Sequence, residues 1–150
     1  MITNDNWNRI GERMKILVLC TGNSCRSQMM HGWLEHFGGS QVQVRSAGIE
    51  THGVNPTAIK VMAEADVDIS AHTSNHIDEY LGEEFDLILT VCDHARESCP
   101  VFPSSSEQIH HNFSDPAKAE GTEEEVLAAF RSVRDEIKEF SKKLLSDRLV

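Results

Sequence analysis

Residues 15–27 read Lys-Ile-Leu-Val-Leu-Cys-Thr-Gly-Asn-Ser-Cys-Arg-Ser, and this stretch decides the fold. The apolar run at 15–19 is short and continuous, which is typical of a parallel strand that is covered on both faces. A turn-rich segment follows it at 20–24, and a helical pattern begins behind that segment. The helix ends at Gly38-Gly39 and has one apolar face, comprising Met29, Met30, Trp33, Leu34 and Phe37. A strand, a tight loop and a helix are therefore predicted in immediate succession.

Outward from this unit, strands and helices continue to alternate. Further strands are predicted at 42–46 and 85–91, and a short edge strand at 109–113. Such alternation predicts a three-layer α/β fold, with a four-stranded parallel sheet and helices on both faces. Because crossover connections are right-handed, the simplest strand order is 2-1-3-4.

Two further helices have clear start signals. One is predicted from Pro56, behind the N-cap Asn55, to about residue 65. The other begins at the capping-box pair Thr122 and Glu125 and keeps helical spacing to about residue 144. With no linker or repeat between the elements, we expect an N-terminal extension at 1–14 and a single domain at 15–150.

The loop between the first strand and the first helix has the form Cys-x5-Arg-Ser. A loop that turns into a helix N-terminus directs its backbone N–H groups at one point and so binds anions. Gly22 and Asn23 tolerate the left-handed backbone that such a loop needs, and Arg26 can grip a tetrahedral oxyanion with two nitrogens. The predicted oxyanion-binding residues are Thr21, Gly22, Asn23, Ser24, Cys25, Arg26 and Ser27.

Cys20 opens this loop and is the candidate nucleophile. Helix N-termini and cations lower thiol pKa values, so Cys20 is expected to be a thiolate near neutral pH, with a further hydrogen bond from Ser27. Cys25 is expected to be a small buried residue. In the predicted strand order the first and third strands are neighbours at the topological switch point, so Cys20 and Cys92 should face one crevice.

Cys92 and Cys99 lie seven positions apart, which is about 10.5 Å along a helix and too far for a disulfide. The segment must therefore unwind or be a loop if the two ever bridge, and Pro100 and Pro103 favour a mobile segment there. The tetrahedral oxyanion in the loop could be phosphate or arsenate. A two-electron reduction of arsenate would consume two thiols, and exchange with a third thiol could carry the resulting disulfide to the surface.

Two other interpretations of these thiols stay open. The cysteines could be inert core residues, or a zinc site could form from Cys92, His94, Cys99, His110 and His111. The Cys-x-His-x4-Cys spacing does not match the common zinc knuckles. Asp115, which precedes Pro116 after the fourth strand, could donate a proton to a leaving oxygen, or could simply form a turn.

Composition narrows the class of protein. The chain has 150 residues and a formal charge of −10, which disfavours nucleic acid as a partner. No apolar run approaches the roughly 18 residues of a membrane span, and no secretory signal precedes the first strand. Four cysteines without an export signal point to reduced thiols in the cytoplasm rather than a disulfide framework.

Over residues 15–145 the chain resembles thioredoxin-coupled arsenate reductase, a family with the low-molecular-weight tyrosine phosphatase fold. The resemblance is carried by residues 20–29, 46–56, the Cys92…Cys99 pair and 115–118. It implies arsenic detoxification, in which Cys20 attacks arsenate with Asp115 as proton donor. Cys92 would then attack Cys20 and release arsenite, and Cys99 would attack Cys92. Thioredoxin would reduce the resulting Cys92–Cys99 disulfide, while Asn23 organises the loop.

Some members of that family bind potassium through Asn, Ser and two acidic side chains. Asn23 and Ser46 match here, but His31 and Asn75 occupy the acidic positions, so potassium is not expected. Neither a cofactor nor a metal is predicted, and the protein is expected to be a monomer. Alternatives are a phosphatase for phosphotyrosine or small phosphomonoesters, which needs Cys20, Arg26 and Asp115 only, and a non-catalytic zinc or binding module.

Overall fold

The computed structural model of the chain describes residues 13–99 and 106–149. Its centre is a four-stranded sheet with the order β2-β1-β3-β4, in which every neighbouring pair of strands is parallel. The strands are β1 at Met14–Cys20, β2 at Val42–Gly48, β3 at Leu87–Thr90 and β4 at Glu107–His110. The predicted α/β class and strand order are confirmed.

Four α-helices accompany the sheet. They are α1 at Arg26–Gly38, α2 at Pro56–Glu64, α3 at Asp93–Glu97 and α4 at Glu123–Arg148. Short 3₁₀ turns lie at Gly39–Gln41, Ile77–Tyr80 and Pro116–Lys118. The predicted helix starts are confirmed, since the Asn55 side chain accepts from two N–H groups of α2 and Thr122 and Glu125 form the reciprocal capping box of α4.

The first strand lies at the centre of the core. Residues 16–19 of β1 are 0% exposed. Because successive side chains of a strand point to opposite faces, this burial means that both faces of the sheet are covered at β1. Helices α1, α2 and α4 pack on one another, and α1 also contacts β1 and β2. The buried central strand of the sheet therefore ends directly at Cys20.

The edge strand differs from its prediction at 109–113. β4 comprises Glu107–His110, after which the chain follows β3 through bonds from the His111 and Phe113 N–H groups to the carbonyls of Thr90 and Val91. The first two residues of β4, Glu107 and Gln108, are polar and exposed, so the sequence has no apolar pattern there. Phe113 is buried beyond the regular strand and drew the prediction toward the C-terminus.

Some predictions fall on residues that the structure does not describe. Most of the predicted extension at 1–14 is in this group, since only residues from 13 onward are described, and so are Pro100 and Pro103. The division at residues 14 and 15 stays a prediction. Within the described ranges, every helix is too short or too polar to cross a bilayer.

Candidate active site

The loop at residues 20–25 is held open by hydrogen bonds to its outer side. Five consecutive carbonyl oxygens, those of residues 20–24, accept from donors outside the loop. The donors are the N–H groups of Ile49 (3.4 Å), Glu50 (2.8 Å), His52 (3.0 Å) and Asn55 (3.1 Å) and Nε2 of Gln28 (3.1 Å). A peptide carbonyl and the next N–H point in opposite directions. The N–H groups of residues 21–25 therefore face the interior of the loop, where they can bind an anion.

Asn23 fixes the shape of the loop. Its φ of 48° lies in the left-handed region, and its side chain is fully buried. Asn23 Nδ2 donates to the Ser46 carbonyl at 3.1 Å, and its Oδ1 accepts from the Ser27 hydroxyl at 2.8 Å. The Ser27 proton is therefore used within the loop, and the predicted hydrogen bond from Ser27 to the Cys20 sulfur is wrong. Ser27 acts on the site by holding Asn23.

Arg26 follows the loop and has a buried donor that no protein group uses. Its Nη1 donates to the Phe113 carbonyl at 3.0 Å, and its Nη2 lies 3.6 Å from Oδ2 of Asp115. Its Nε is buried and lacks a hydrogen-bond partner in the described part of the chain. Buried donors are rarely left unpaired, so this nitrogen is available to an oxyanion in the loop.

Cys20 and Cys92 are two buried thiols at the ends of neighbouring strands. Cys20 is the last residue of β1, and Cys92 follows the neighbouring strand β3. The Thr21 hydroxyl lies 3.2 Å from the Cys92 sulfur. The predicted meeting of the two sulfurs in one crevice agrees with this arrangement.

The two thiols shift each other's pKa in opposite directions. The hydrogen bond to Cys92, followed by burial, raises the pKa of Cys20 far above its usual range, although Arg26 opposes this. The hydrogen bond from Cys20 lowers the pKa of Cys92 to about 5, and bonds from Thr21 and the Ala95 N–H act in the same direction. The thiolate expected at Cys20 therefore stays a prediction, because the two sulfurs titrate together. The opposite shifts mean that the pair gives up its first proton readily and holds the second strongly, so that one negative charge is shared by the two sulfurs.

The other two cysteines have different environments. Cys25 is 4% exposed, as expected of a small buried residue, and burial followed by the charge of Asp115 raises its pKa to about 11. Cys99 is half-buried just beyond α3, where burial raises its pKa. Cys92 precedes α3 as its N-cap, so this helix separates the two cysteines. All four cysteines are thiols rather than disulfides.

Asp115 lies at the mouth of the loop. Its Oδ1 accepts from the Ala117 N–H at 3.0 Å and caps the 3₁₀ turn at Pro116–Lys118. Its Oδ2 faces Arg26 across 3.6 Å. Asp115 is thus a turn former, as one interpretation held, and it is also directed at the anion site.

The residues of the proposed zinc site do not come together. Within residues 13–99 and 106–149, one group of three histidine, cysteine or acidic side chains has ligand atoms within 4.8 Å of one another, and it comprises His31, Glu35 and His72. Sequence spacing could not find this group, because His72 lies far along the chain from α1. His110 instead bridges the Thr90 hydroxyl and the Asp93 carboxylate, at 2.7 Å from each.

Sequence reasoning missed two supports of the loop. Gln28 is fully buried and links the Asn23 carbonyl to the Thr73 carbonyl. Gly48 lies so close to the loop that a Cβ there would be 2.7 Å from the Asn23 nitrogen and 2.8 Å from the Thr21 oxygen. A glycine at the end of a strand was the available signal for the close approach.

The fold and the Cys-x5-Arg loop define a class of protein, and a family model agrees with it. Residues 15–149 match the family described as low molecular weight phosphotyrosine protein phosphatase, and the chain belongs to this family. Within it, the chain is 57% identical over 122 residues to the arsenate reductase of Halalkalibacterium halodurans, covering 81% of this chain and 88% of the relative.

Solved structures show the same fold. An arsenate reductase in an oxidized state has a TM-score of 0.77 and 29% identity, over 89% of this chain and 97% of that one. The low molecular weight protein tyrosine phosphatase of T. tengcongensis has a TM-score of 0.75 and 22% identity, over 89% and 99%. The similarity to arsenate reductases and to the phosphatase superfamily that the motifs indicated is therefore confirmed.

Proposed function

We propose that the protein reduces arsenate to arsenite through three cysteines and so serves arsenic detoxification. The observation that carries this proposal is the placement of two buried thiols, Cys20 and Cys92, at the ends of the neighbouring strands β1 and β3, where the oxyanion-binding loop begins. A hydrolytic enzyme needs one thiol there, whereas a two-electron reduction needs a second thiol within reach of the first.

The first step joins Cys20 to arsenate. The backbone N–H groups of residues 21–25 and the unpaired Nε of Arg26 hold the oxyanion. Cys20 passes its proton along the hydrogen bond to Cys92, and its sulfur attacks the arsenic atom. One arsenate oxygen leaves as water, protonated by Asp115, and a sulfur–arsenic(V) bond has formed.

The second step transfers the electrons. Cys92 gives its proton to an oxygen of the arsenic group and attacks the Cys20 sulfur, so that a sulfur–sulfur bond forms and the sulfur–arsenic bond breaks. The bonding electron pair stays on arsenic, which leaves as arsenite in the +3 state. The two thiols have together supplied two electrons and are left as a Cys20–Cys92 disulfide.

The third step moves the disulfide outward. Cys99 attacks Cys92 and frees Cys20, and the dithiol of thioredoxin then reduces the Cys92–Cys99 disulfide. The residues at the start of α3 are anchored, since Asp93 bonds His110 and also the Asn112 side chain at 3.1 Å. At the far end of α3 the Ser98 N–H bonds the His94 carbonyl at 3.0 Å, and the last bond, from the Cys99 N–H to the Arg96 carbonyl, lengthens to 3.4 Å. We infer that α3 unwinds from the Cys99 end.

The relatives support this chemistry. The curated relatives that are 50–57% identical to this chain are named arsenate reductases. Arsenate reductases of similar fold have been solved in reduced, intermediate and oxidized states, as expected of a family that cycles between thiols and disulfides.

The proposal includes the setting of the enzyme. A thiol relay needs a reducing compartment, which favours the cytoplasm. We further propose a monomer, in which residues 15–150 form one domain behind the extension at 1–14.

The test is arsenite production with thioredoxin, thioredoxin reductase and NADPH, run beside glutaredoxin and glutathione. Cys20→Ser should abolish arsenite production. Cys99→Ser should release about one arsenite per chain and then stop, because the first disulfide cannot move outward. Cys25→Ser is the matched control and should retain a substantial rate. Sustained thioredoxin-driven turnover by Cys99→Ser would contradict the relay.

The phosphatase alternative gives a different pattern in the same variants. Hydrolysis of a small phosphomonoester requires Cys20, Arg26 and Asp115 but not Cys92 or Cys99. The loop supports weak hydrolysis by itself, so a trace of it is expected. Vigorous hydrolysis that survives Cys92→Ser, without arsenite production by the unmodified protein, would favour the phosphatase.

A further inference from the structure

Behind the anion loop, two histidines and a glutamate converge on one point. His31 and Glu35 lie one turn apart on α1, and His72 reaches them from the segment after α2. His31 Nε2 lies 3.4 Å from one carboxylate oxygen of Glu35, and His72 Nε2 lies 3.5 Å from the other. The two imidazole rings have centroids 4.2 Å apart.

One ligand atom from each of the three side chains lies within 4.8 Å of the other two, which is close enough for one ion to draw them together. Ligand atoms about 2.0–2.1 Å from a tetrahedral ion are about 3.4 Å from one another. The histidine side chains are 15% and 14% exposed, while Glu35 is 51% exposed. The two rings are therefore held by the protein, and the carboxylate side remains open to an ion and to water.

The outer nitrogens of both rings are occupied. His31 Nδ1 bonds the Ser46 hydroxyl at 2.8 Å, and His72 Nδ1 bonds the Gln28 side-chain oxygen at 3.0 Å. Metal-binding histidines usually have such a partner on the nitrogen that does not bind the metal. A ring that donates from Nδ1 presents the lone pair of Nε2, and both Nε2 atoms face Glu35.

We propose that His31, Glu35 and His72 bind a divalent transition-metal ion, with Zn²⁺ as its representative. Two imidazole nitrogens and one carboxylate suit zinc, cobalt and nickel, whereas magnesium and calcium prefer oxygen ligands. The site is separate from the sulfur chemistry, since none of the four cysteines is among its ligands. This proposal departs from the expectation that the protein binds no metal. The site shares His31 with the potassium arrangement but not Asn75, which is bonded to Thr73 and Glu79.

The site has a direct connection to the loop. Gln28, which holds His72, also donates to the Asn23 carbonyl at 3.1 Å. Ser46, which holds His31, accepts from the Asn23 side chain through its carbonyl at 3.1 Å. An ion bound there therefore fixes both supports of Asn23, and it joins α1 to the segment that contains His72.

The test is calorimetric titration of the reduced full-length protein with ZnCl₂. Glu35→Gln and His72→Gln should each bind one zinc ion fewer than the unmodified protein, or bind that ion with at least tenfold lower affinity. His36→Gln is the matched control, because His36 is an exposed neighbour of Glu35 on α1 and should leave that equivalent within twofold. Glu35→Gln changes an exposed side chain and keeps the test valid if His72→Gln fails to fold.

A second readout separates this site from the cysteines. Co²⁺ bound to nitrogen and oxygen gives weak visible bands, whereas Co²⁺ bound to thiolate adds intense near-ultraviolet absorption. The proposal expects visible bands that disappear in Glu35→Gln. Three results would overturn the proposal. They are equal zinc stoichiometry and affinity in all three variants, cobalt absorption from thiolate alone, and no binding at millimolar metal.

Discussion

Replacement of Asn23 tests how the anion loop is built. Asn23 combines a left-handed backbone, complete burial and two side-chain hydrogen bonds. Asn23→Ala removes both bonds and places a Cβ in a conformation that alanine disfavours. Asn23→Gly also removes the bonds, but glycine adopts this backbone without strain. The pair of variants therefore separates the backbone contribution from that of the side chain.

The structure sets the expected magnitudes. In either variant the Ser46 carbonyl and the Ser27 hydroxyl lose a buried partner, at about 1–3 kcal/mol each. Alanine adds about 1–2 kcal/mol for the left-handed conformation. We expect Asn23→Ala to lower the free energy of unfolding by about 4 kcal/mol, and Asn23→Gly by about 1 kcal/mol less than that. Either loss is a large part of the roughly 5–15 kcal/mol that stabilises a domain.

The assay is equilibrium unfolding in urea, followed by the fluorescence of the buried Trp33. Calorimetric titration of the folded variants with inorganic phosphate measures the anion site directly, and both variants should bind it more weakly. Asn23→Gly serves as the control for backbone strain, because it loses the same two hydrogen bonds as Asn23→Ala. If the two variants were equally stable and both matched the unmodified protein, the account of the loop would be refuted.

Three further predictions concern other parts of the structure. Gly48→Ala should weaken phosphate binding at least tenfold by calorimetry, because its Cβ would meet the Asn23 nitrogen at 2.7 Å; unchanged affinity would contradict the close approach. Cys20→Ala should raise the pKa of Cys92 from about 5 toward the ordinary thiol value of about 8.5, because Cys92 loses the neighbour that stabilises its charged form. The pH midpoint of thiolate absorbance measures this, and a midpoint that stays near 5 would assign the low pKa to another cause. Thr122→Ala should lower the unfolding free energy by about 1 kcal/mol through loss of the α4 cap, and an unchanged urea midpoint would argue against that cap.

The framework of the fold was readable in the sequence because its signals are local. The continuous apolar run of β1, the Asn55-Pro56 start of α2 and the capping box of α4 each arise from residues a few positions apart. Topological rules then gave the strand order, and the strand order brought Cys20 and Cys92 to one edge of the sheet.

The remaining features depend on contacts that no local pattern records. Helix α3 has five residues and its N-cap Cys92 makes no side-chain cap hydrogen bond, so it lacked a start signal. The bond from Ser27 to Asn23 and the convergence of His72 on α1 depend on how distant segments pack. The coupled titration of Cys20 and Cys92 likewise depends on two sulfurs that lie far apart in the sequence.

The central claim, that one oxidation passes through three sulfurs in order, is tested most directly by mapping disulfides after a single turnover. The reduced protein is mixed with arsenate without a reductant, quenched by alkylation and analysed by peptide mass spectrometry. We expect a Cys92–Cys99 disulfide in the unmodified protein, a Cys20–Cys92 disulfide in Cys99→Ser, and one arsenite per chain in both. Arsenite release that leaves all four cysteines alkylated, or a disulfide that includes Cys25, would contradict the account.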